Sequence, residues 1–144
     1  IMLSLASESA GGASTILEKT VAYTKERVQF GKTIASYQAI KHKCADLLTQ
    51  VESAKTLTYY AAWALSDAGL DSSDEASIAA AMAKSYTTDA YKTCTAEAIQ
   101  THGAIGFTWE MPIHLYYKRA RANAISIATS NQLRDNLIQK VVAA

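Results

Sequence analysis

The stretch Arg27-Val28-Gln29-Phe30-Gly31 separates two long helical patterns, and its place between them sets the reading of the chain. Before it, Leu3, Ala6, Ala10, Ala13, Leu17, Val21 and Val28 recur mostly at steps of three, four or seven, the signature of one helix face. After it, from about Ser36 to Ala68, the residues Cys44, Leu47, Leu48, Val51, Ala54, Thr58, Ala61 and Leu65 fall on one face, and Gly69 supplies the stop. The five residues themselves combine a cation, an amide, an aromatic ring and a glycine. A cation with an amide donor suits a phosphate, an exposed ring suits a flat heterocycle, and a glycine lets the backbone turn. That combination points to a nucleotide-like ligand. The same residues also fit an ordinary helix exit, with Arg27 near the negative end of the helix dipole and Phe30 tucked into the core.

Working outward, a third helix is expected from the capping-box spacing of Ser72 and Glu75, through Ile78, Met82, Tyr86, Ala90 and Cys94, to Ile99, stopping near Gly103. Gly103 to Pro112 reads as a loop rich in glycine and aromatics. Two shorter helices follow, about Pro112 to Ser126 and Ser130 to Val142, with Pro112 suited to a first helical turn. Three long helices and a shorter pair predict an all-α, up-down bundle. No repeat, low-complexity tract or interdomain linker breaks the chain.

Composition agrees. The 144 residues, 49% of them hydrophobic, suffice for one domain with a real core, and one proline with six glycines is too few for a turn-rich β chain. A net charge of +1 gives no reason to expect nucleic acid or an anionic membrane surface. No apolar run is long enough to span a membrane, and no leader pattern opens the chain, so a cytoplasmic location is expected. Cys44 and Cys94 form no CxxC and have no neighbouring histidine at ligand spacing, so they read as buried free thiols. The chain opens inside an apolar helical pattern at Ile1-Met2-Leu3, as a piece of something longer would.

A second cluster is Gln100-Thr101-His102-Gly103-Ala104-Ile105-Gly106-Phe107. Glycines at a helix end let backbone approach a ligand, and Gln100 offers a donor and an acceptor. A glycine helix cap followed by a packed loop accounts for the same residues. His102 reads as a satisfied surface or interface histidine, and no metal site is expected, because His42 and His114 are equally isolated.

Taken together, Arg27-x-x-Phe30-Gly31 with Gln38, and Gln100-x-x-Gly103-x-x-Gly106-Phe107-x-x-Glu110-x-Pro112, resemble the C-terminal helical domain of the acyl-CoA dehydrogenase family. The resemblance covers essentially the whole chain, residues 1–144, and leaves no counterpart for that family's N-terminal helical and middle β domains. It implies FAD as cofactor. By position, Arg27 matches an arginine on the FAD pyrophosphate and Phe30 an aromatic beside the adenine, while Gln29, Ile34 and Gln38 fall on further FAD contacts. Gln100, Gly103 and Ala104 match a segment holding the adenosine end of an FAD bound mostly by a neighbouring subunit, with Ala104 in place of the usual second glycine. Thr129 falls among the cofactor contacts as well. The resemblance further implies an acyl-CoA thioester substrate, homo- or hetero-oligomers built through the bundle, and an electron-transfer flavoprotein as electron acceptor.

One departure is larger. Where the family places a catalytic glutamate downstream of an Arg-Asp-Ala triplet, this chain has Lys118-Arg119-Ala120 and then Ile127, and no acid lies between Arg119 and Arg134. Ile127 takes no proton. Glu8, near the position from which other family members draw a base, is the remaining weak candidate. The favoured expectation is a subunit that helps hold FAD while a partner supplies the base, as in the branch acting on sterol side chains. The alternatives are an active homomeric dehydrogenase with its base elsewhere and a ligand-free assembly module.

Overall fold

The computed structural model describes residues 1–66 and 73–142. Among these residues, five α-helices run as α1 (Met2–Glu26), α2 (Gln38–Ala64), α3 (Ser73–His102), α4 (Ile113–Ile125) and α5 (Ser130–Val142). Between α1 and α2 lies a small antiparallel hairpin of β1 (Val28–Gln29) and β2 (Lys32–Thr33), then a 3₁₀ turn at Ile34–Ser36. A second 3₁₀ segment, Gly103–Phe107, follows α3. The all-α bundle expected from the periodicity is therefore present, with α3 at its centre touching α1, α2, α4 and α5.

The core is built from small side chains. Ala6, Ala13, Ala54, Ala61 and Ala83 are fully buried, and larger groups such as Ile16, Val51 and Ile113 are few. Alanine favours helix and lets helix axes approach closely. Buried hydroxyls avoid desolvation by bonding within their own helices: Thr20 to the Ile16 carbonyl at 2.7 Å, Thr87 to Ala83 at 2.7 Å, and Thr95 to Tyr91 at 2.9 Å. Where α1 crosses α3, Gly12 leaves room for the buried Tyr91 ring; a Cβ there would lie 2.6 Å from Tyr91 Cζ. Cys94 completes that contact by pointing its Sγ at the Ala13 carbonyl, 3.5 Å away. Both cysteines are free, Cys94 buried and Cys44 half-buried, and burial pushes the Cys94 thiol up to about 12.

Some boundaries differ from the sequence expectation. Helix α2 stops at Ala64 rather than Ala68, because the Ser66 hydroxyl and N–H both take the Trp63 carbonyl, at 2.7 and 3.0 Å, and tighten the turn. Gly69 and the cap residue Ser72 lie outside the described residues. The buried face of α2 runs through Leu47, Val51, Ala54, Thr58, Ala61 and Ala64, leaving Leu48 and Leu65 half exposed. Val28 belongs to β1, not to the first helix, and faces solvent. Among the described residues a capping box sits at α5, where Gln132 Oε1 accepts from both the N–H and the hydroxyl of Thr129 at 2.9 Å.

Candidate functional site

The first cluster is a two-residue hairpin. Arg27 ends α1 in an extended conformation, its N–H bonding the Tyr23 carbonyl at 2.9 Å and its carbonyl receiving the Ile34 N–H at 2.8 Å. Gln29 pairs with Lys32, so Phe30 and Gly31 form the tip, with φ of 53° and 79°. Positive φ at both central residues defines the type I′ turn that suits hairpins, for which Asn-Gly is the favoured pair. A bulky ring at the first position is therefore strained. The ring gains nothing from this chain in return, since Phe30 is 93% exposed. That removes the helix-exit alternative in which Phe30 packs into the core. Tyr37 braces the hairpin, its hydroxyl donating to the Gln29 carbonyl at 3.1 Å while Lys32 lies 4.3 Å over its ring. The amide of Gln29 folds back on the Val28 carbonyl at 2.8 Å, and Gln38 Nε2 lies 3.4 Å from His42 Nε2.

The second cluster forms a cleft. Gln100, Gly103 and Ala104 line it with Ile99, Phe107 and Tyr117, around a volume of about 320 Å³. Gly103 has φ of 66°, and a Cβ placed on it would meet nothing within 4 Å, so its backbone is open to approach. Behind the cleft, His102 is 4% exposed, which removes the surface half of the surface-or-interface reading. It stacks on Tyr23 with ring centroids 4.1 Å apart, and its Nδ1 donates to the Ala98 carbonyl at 2.7 Å. The buried Nε2 has no hydrogen-bond partner, and burial pulls the histidine below its ordinary range.

The third region is the α4–α5 elbow. Ile127 has φ of 70° and is 59% exposed, and Thr129 faces a small cavity lined also by Lys92, Arg121, Ile125 and Asn131. Across α1, Arg119 grips both oxygens of Glu8, with Nη2 2.8 Å from Oε2. That guanidinium holds the Glu8 carboxyl below the usual carboxylate range, opposite to what a general base working near neutral pH needs. Among the described residues no group of acid, histidine and cysteine side chains has the arrangement of a metal site, and no helix is long and apolar enough to cross a membrane.

A family model described as acyl-CoA dehydrogenase, C-terminal domain, matches residues 3–142. The chain belongs to the acyl-CoA dehydrogenase family. It is 43% identical over 123 residues to acyl-CoA dehydrogenase IpdE2 of Mycolicibacterium smegmatis, covering 85% of this chain and 36% of that protein. It is 38% identical over 128 residues to the caffeyl-CoA reductase-Etf complex subunit CarC of Acetobacterium woodii, covering 89% of this chain and 32% of the relative. Its fold superposes on butyryl-CoA dehydrogenase from Megasphaera elsdenii with a TM-score of 0.90 at 29% identity, over 98% of this chain and 36% of that one. The chain thus spans about a third of the length of these relatives.

Within this acyl-CoA dehydrogenase domain, the helix pairing decides what comes together. Tyr23 lies one turn before Arg27 and stacks on His102, one residue before Gly103, so the hairpin and the cleft share one end of the bundle. Arg27, Gln29, Phe30, Ile34 and Gln38 are not among the residues lining the Gln100 cleft. Ile127 and Thr129 sit elsewhere. Their elbow packs at Lys84, 18 residues before His102 on α3, which at 1.5 Å per residue is about 27 Å away. The sequence reading missed Tyr117, a partner in the cleft, and Lys84. A signal for Lys84 existed: it is the one charge between Glu75 and Asp89, in a run otherwise made of alanine, hydroxyl and apolar residues.

Proposed function

We propose that this chain is the C-terminal, FAD-holding and oligomer-forming domain of an acyl-CoA dehydrogenase subunit that lacks its own base at the usual position and works with a catalytic partner subunit. The observation that carries the reading is Phe30, an almost fully exposed ring kept in a strained conformation next to Arg27. Strain of this kind persists where a site uses it, and here nothing inside the chain does. The chemistry of the two clusters fits a dinucleotide cofactor. Arg27 would meet the pyrophosphate, with Gln29, Ile34 and Gln38 beside it, and Phe30 would cover the adenine. Gln100, Gly103 and Ala104 would take the adenosine end of an FAD seated mainly on a neighbouring subunit, with Thr129 a further contact. Bound FAD supplies a hydride acceptor, so the acyl group loses hydrogen across its α,β bond. What this chain adds is grip and orientation, not proton transfer. Ile127 carries no ionisable group, and Glu8 is engaged by Arg119.

The likeness to a subunit of an Etf complex supports an electron-transfer flavoprotein as a redox partner. In this reading the flavoprotein serves as electron acceptor, and the chain works in a cytoplasmic homo- or hetero-oligomer. The test uses the longer polypeptide, purified alone and with candidate partner subunits. Flavin absorbance and acyl-CoA-dependent dye reduction should appear in the mixed assembly and turnover should be absent from the homomer. Robust turnover by the homomer would establish an active enzyme with its base elsewhere. Absence of flavin from every assembly would leave an assembly module.

A further inference from the structure

Helix α5 packs against α3, and little of it is both apolar and buried. Among its described side chains Leu133 is the buried apolar one, with Leu137 half-buried. Leu133 lies outside the buried clusters that join α1, α2 and α3 through residues such as Ile16, Val51 and Tyr91. The other ties from α5 to α3 are polar. The Ser130 hydroxyl donates to the Ser85 carbonyl at 3.2 Å, Arg134 pairs with Asp89 at 2.6 Å, and Lys140 pairs with Asp74 at 3.2 Å. Both ion pairs reach solvent, where screening and the ordering of long side chains leave such pairs little net stabilisation.

The segment joining α5 to α4 works against this docking. The Ala128 N–H donates to the Ser126 carbonyl at 2.9 Å, closing a three-residue turn around Ile127 with its φ of 70°. A γ-turn with positive φ is the rare, strained form, and it is centred here on a β-branched residue. Because Ile127 is 59% exposed, burial within this chain does not offset the strain. Lys84 pins the turn from α3. It is fully buried, and its ammonium donates to the Ala124 carbonyl at 3.1 Å and to the Ala128 carbonyl. Asp89, the acid that bears on Lys84, is taken up by Lys92 at 3.2 Å and by Arg134. The ammonium is therefore dried without a carboxylate of its own, and that cost is set against the two bonds it makes. Lifting α5 off α3 breaks the Ala128 and Ser130 ties together, lets Ile127 return to negative φ and gives Lys84 back its water. We propose that α5 is a strap poised to lift from α3 as a unit while the rest of the bundle stays folded, hinging at residues 126–129 and loaded by the strain at Ile127.

Native-state hydrogen exchange on the whole chain, followed through low urea concentrations, tests both halves of the proposal. Amides at residues 134–140 of α5 should exchange about tenfold or more faster than those at residues 91–99 of α3. Their exchange should also depend much less on urea, because an opening confined to α5 exposes little surface. Amides of α5 that share the rate and the urea slope of α3 would show that α5 opens only when the whole bundle unfolds, and the strap would be overturned. Ile127→Asn tests the loading. Asparagine accepts left-handed backbone at less cost, and the side chain it replaces is largely exposed, so the variant folds and its strap is held shut more firmly. Exchange of the α5 amides should slow about fivefold or more. Unchanged α5 exchange in Ile127→Asn would remove the strain as the load on the hinge.

Discussion

Gly11 and Gly12 are neighbours in the middle of α1 with opposite surroundings, and they make a controlled experiment. A Cβ on Gly11 meets nothing within 4 Å, whereas one on Gly12 would lie 2.6 Å from Tyr91 Cζ, 2.7 Å from its hydroxyl oxygen and 2.9 Å from Cε2. Ordinary carbon contacts are about 3.5–4.0 Å, so roughly 1 Å must open between α1 and α3. Tyr91 is 2% exposed and has no free space to swing into. Gly→Ala in a helix interior gains about 0.5–1 kcal/mol, and this term is common to both positions. Forcing a methyl into a packed core costs about 1–3 kcal/mol. The intrinsic gain cancels in the comparison, and Gly12→Ala should be less stable than Gly11→Ala by about 1–3 kcal/mol. At roughly 2–4 °C per kcal/mol for a chain of this size, the two melting temperatures should differ by about 2–12 °C, with Gly11→Ala above wild type. Tyr91→Leu in the Gly12→Ala background should recover part of the loss. Two equally stabilising alanine variants would mean that Tyr91 does not lie over Gly12, and the register of α1 against α3 would be wrong.

Phe30→Asn should stabilise the chain by about 0.5–1 kcal/mol in urea melts, because asparagine suits a left-handed hairpin tip, while lowering flavin retention in the longer protein. Unchanged retention would remove the ring from the site. Glu8→Gln should leave turnover of the assembled enzyme near wild type, whereas a loss of about 10²–10⁴-fold would identify Glu8 as the base after all. His102 has its folded value lowered from 6.5 by burial, so the unfolded chain binds the proton first and stability is lost as pH falls below 6.5. The drop in urea midpoint between about pH 7.5 and about 5.5 should therefore be smaller in His102→Gln, and equal drops would contradict the burial. On the alkaline side, Cys94 is raised from 9.0 to about 12 and Tyr91 from 10.0 to about 12, so their contributions are complete below those starting values and fade as pH rises through the window. Lys84, lowered from 10.5 by burial, works in the opposite direction over its own window. The net alkaline loss should be shallower in Cys94→Ala by up to about 1.4 kcal/mol per pH unit, measured as urea midpoints at successive pH values.

The bundle was legible because α1 and α3 carry their buried residues at helical spacing, and because Gly103 closes α3 with a positive φ that glycine tolerates. The end of α2 was not legible, since the stop is made by the Ser66 side chain taking a carbonyl that a longer helix would have used. Of the site, the residue types at 27–31 announced a ligand, but the tip geometry did not follow from them. Phe30 read equally well as a core residue, and only the pairing of Gln29 with Lys32 turns it outward. The surface alternative for His102 fails for the converse reason. Its burial depends on Tyr23, 79 residues away, which no local pattern reports. Lys84 shows the same limit, because its partners on α4 and the elbow lie 40 and 44 residues further along.

The alanine-built interior carries a consequence for variation in this domain. A core of large aliphatic groups fails mainly when side chains are trimmed, and it tolerates exchange among similar volumes. Here many buried positions hold little that trimming can remove, and Ala6, Ala13, Ala54, Ala61 and Ala83 have no exposed surface into which an added group could turn. Substitutions should therefore be sorted by a ceiling on size. Exchange among alanine, serine, glycine and cysteine should be common at these positions in functional variants, while valine or leucine would be excluded. Damaging alleles should concentrate where a side chain grows.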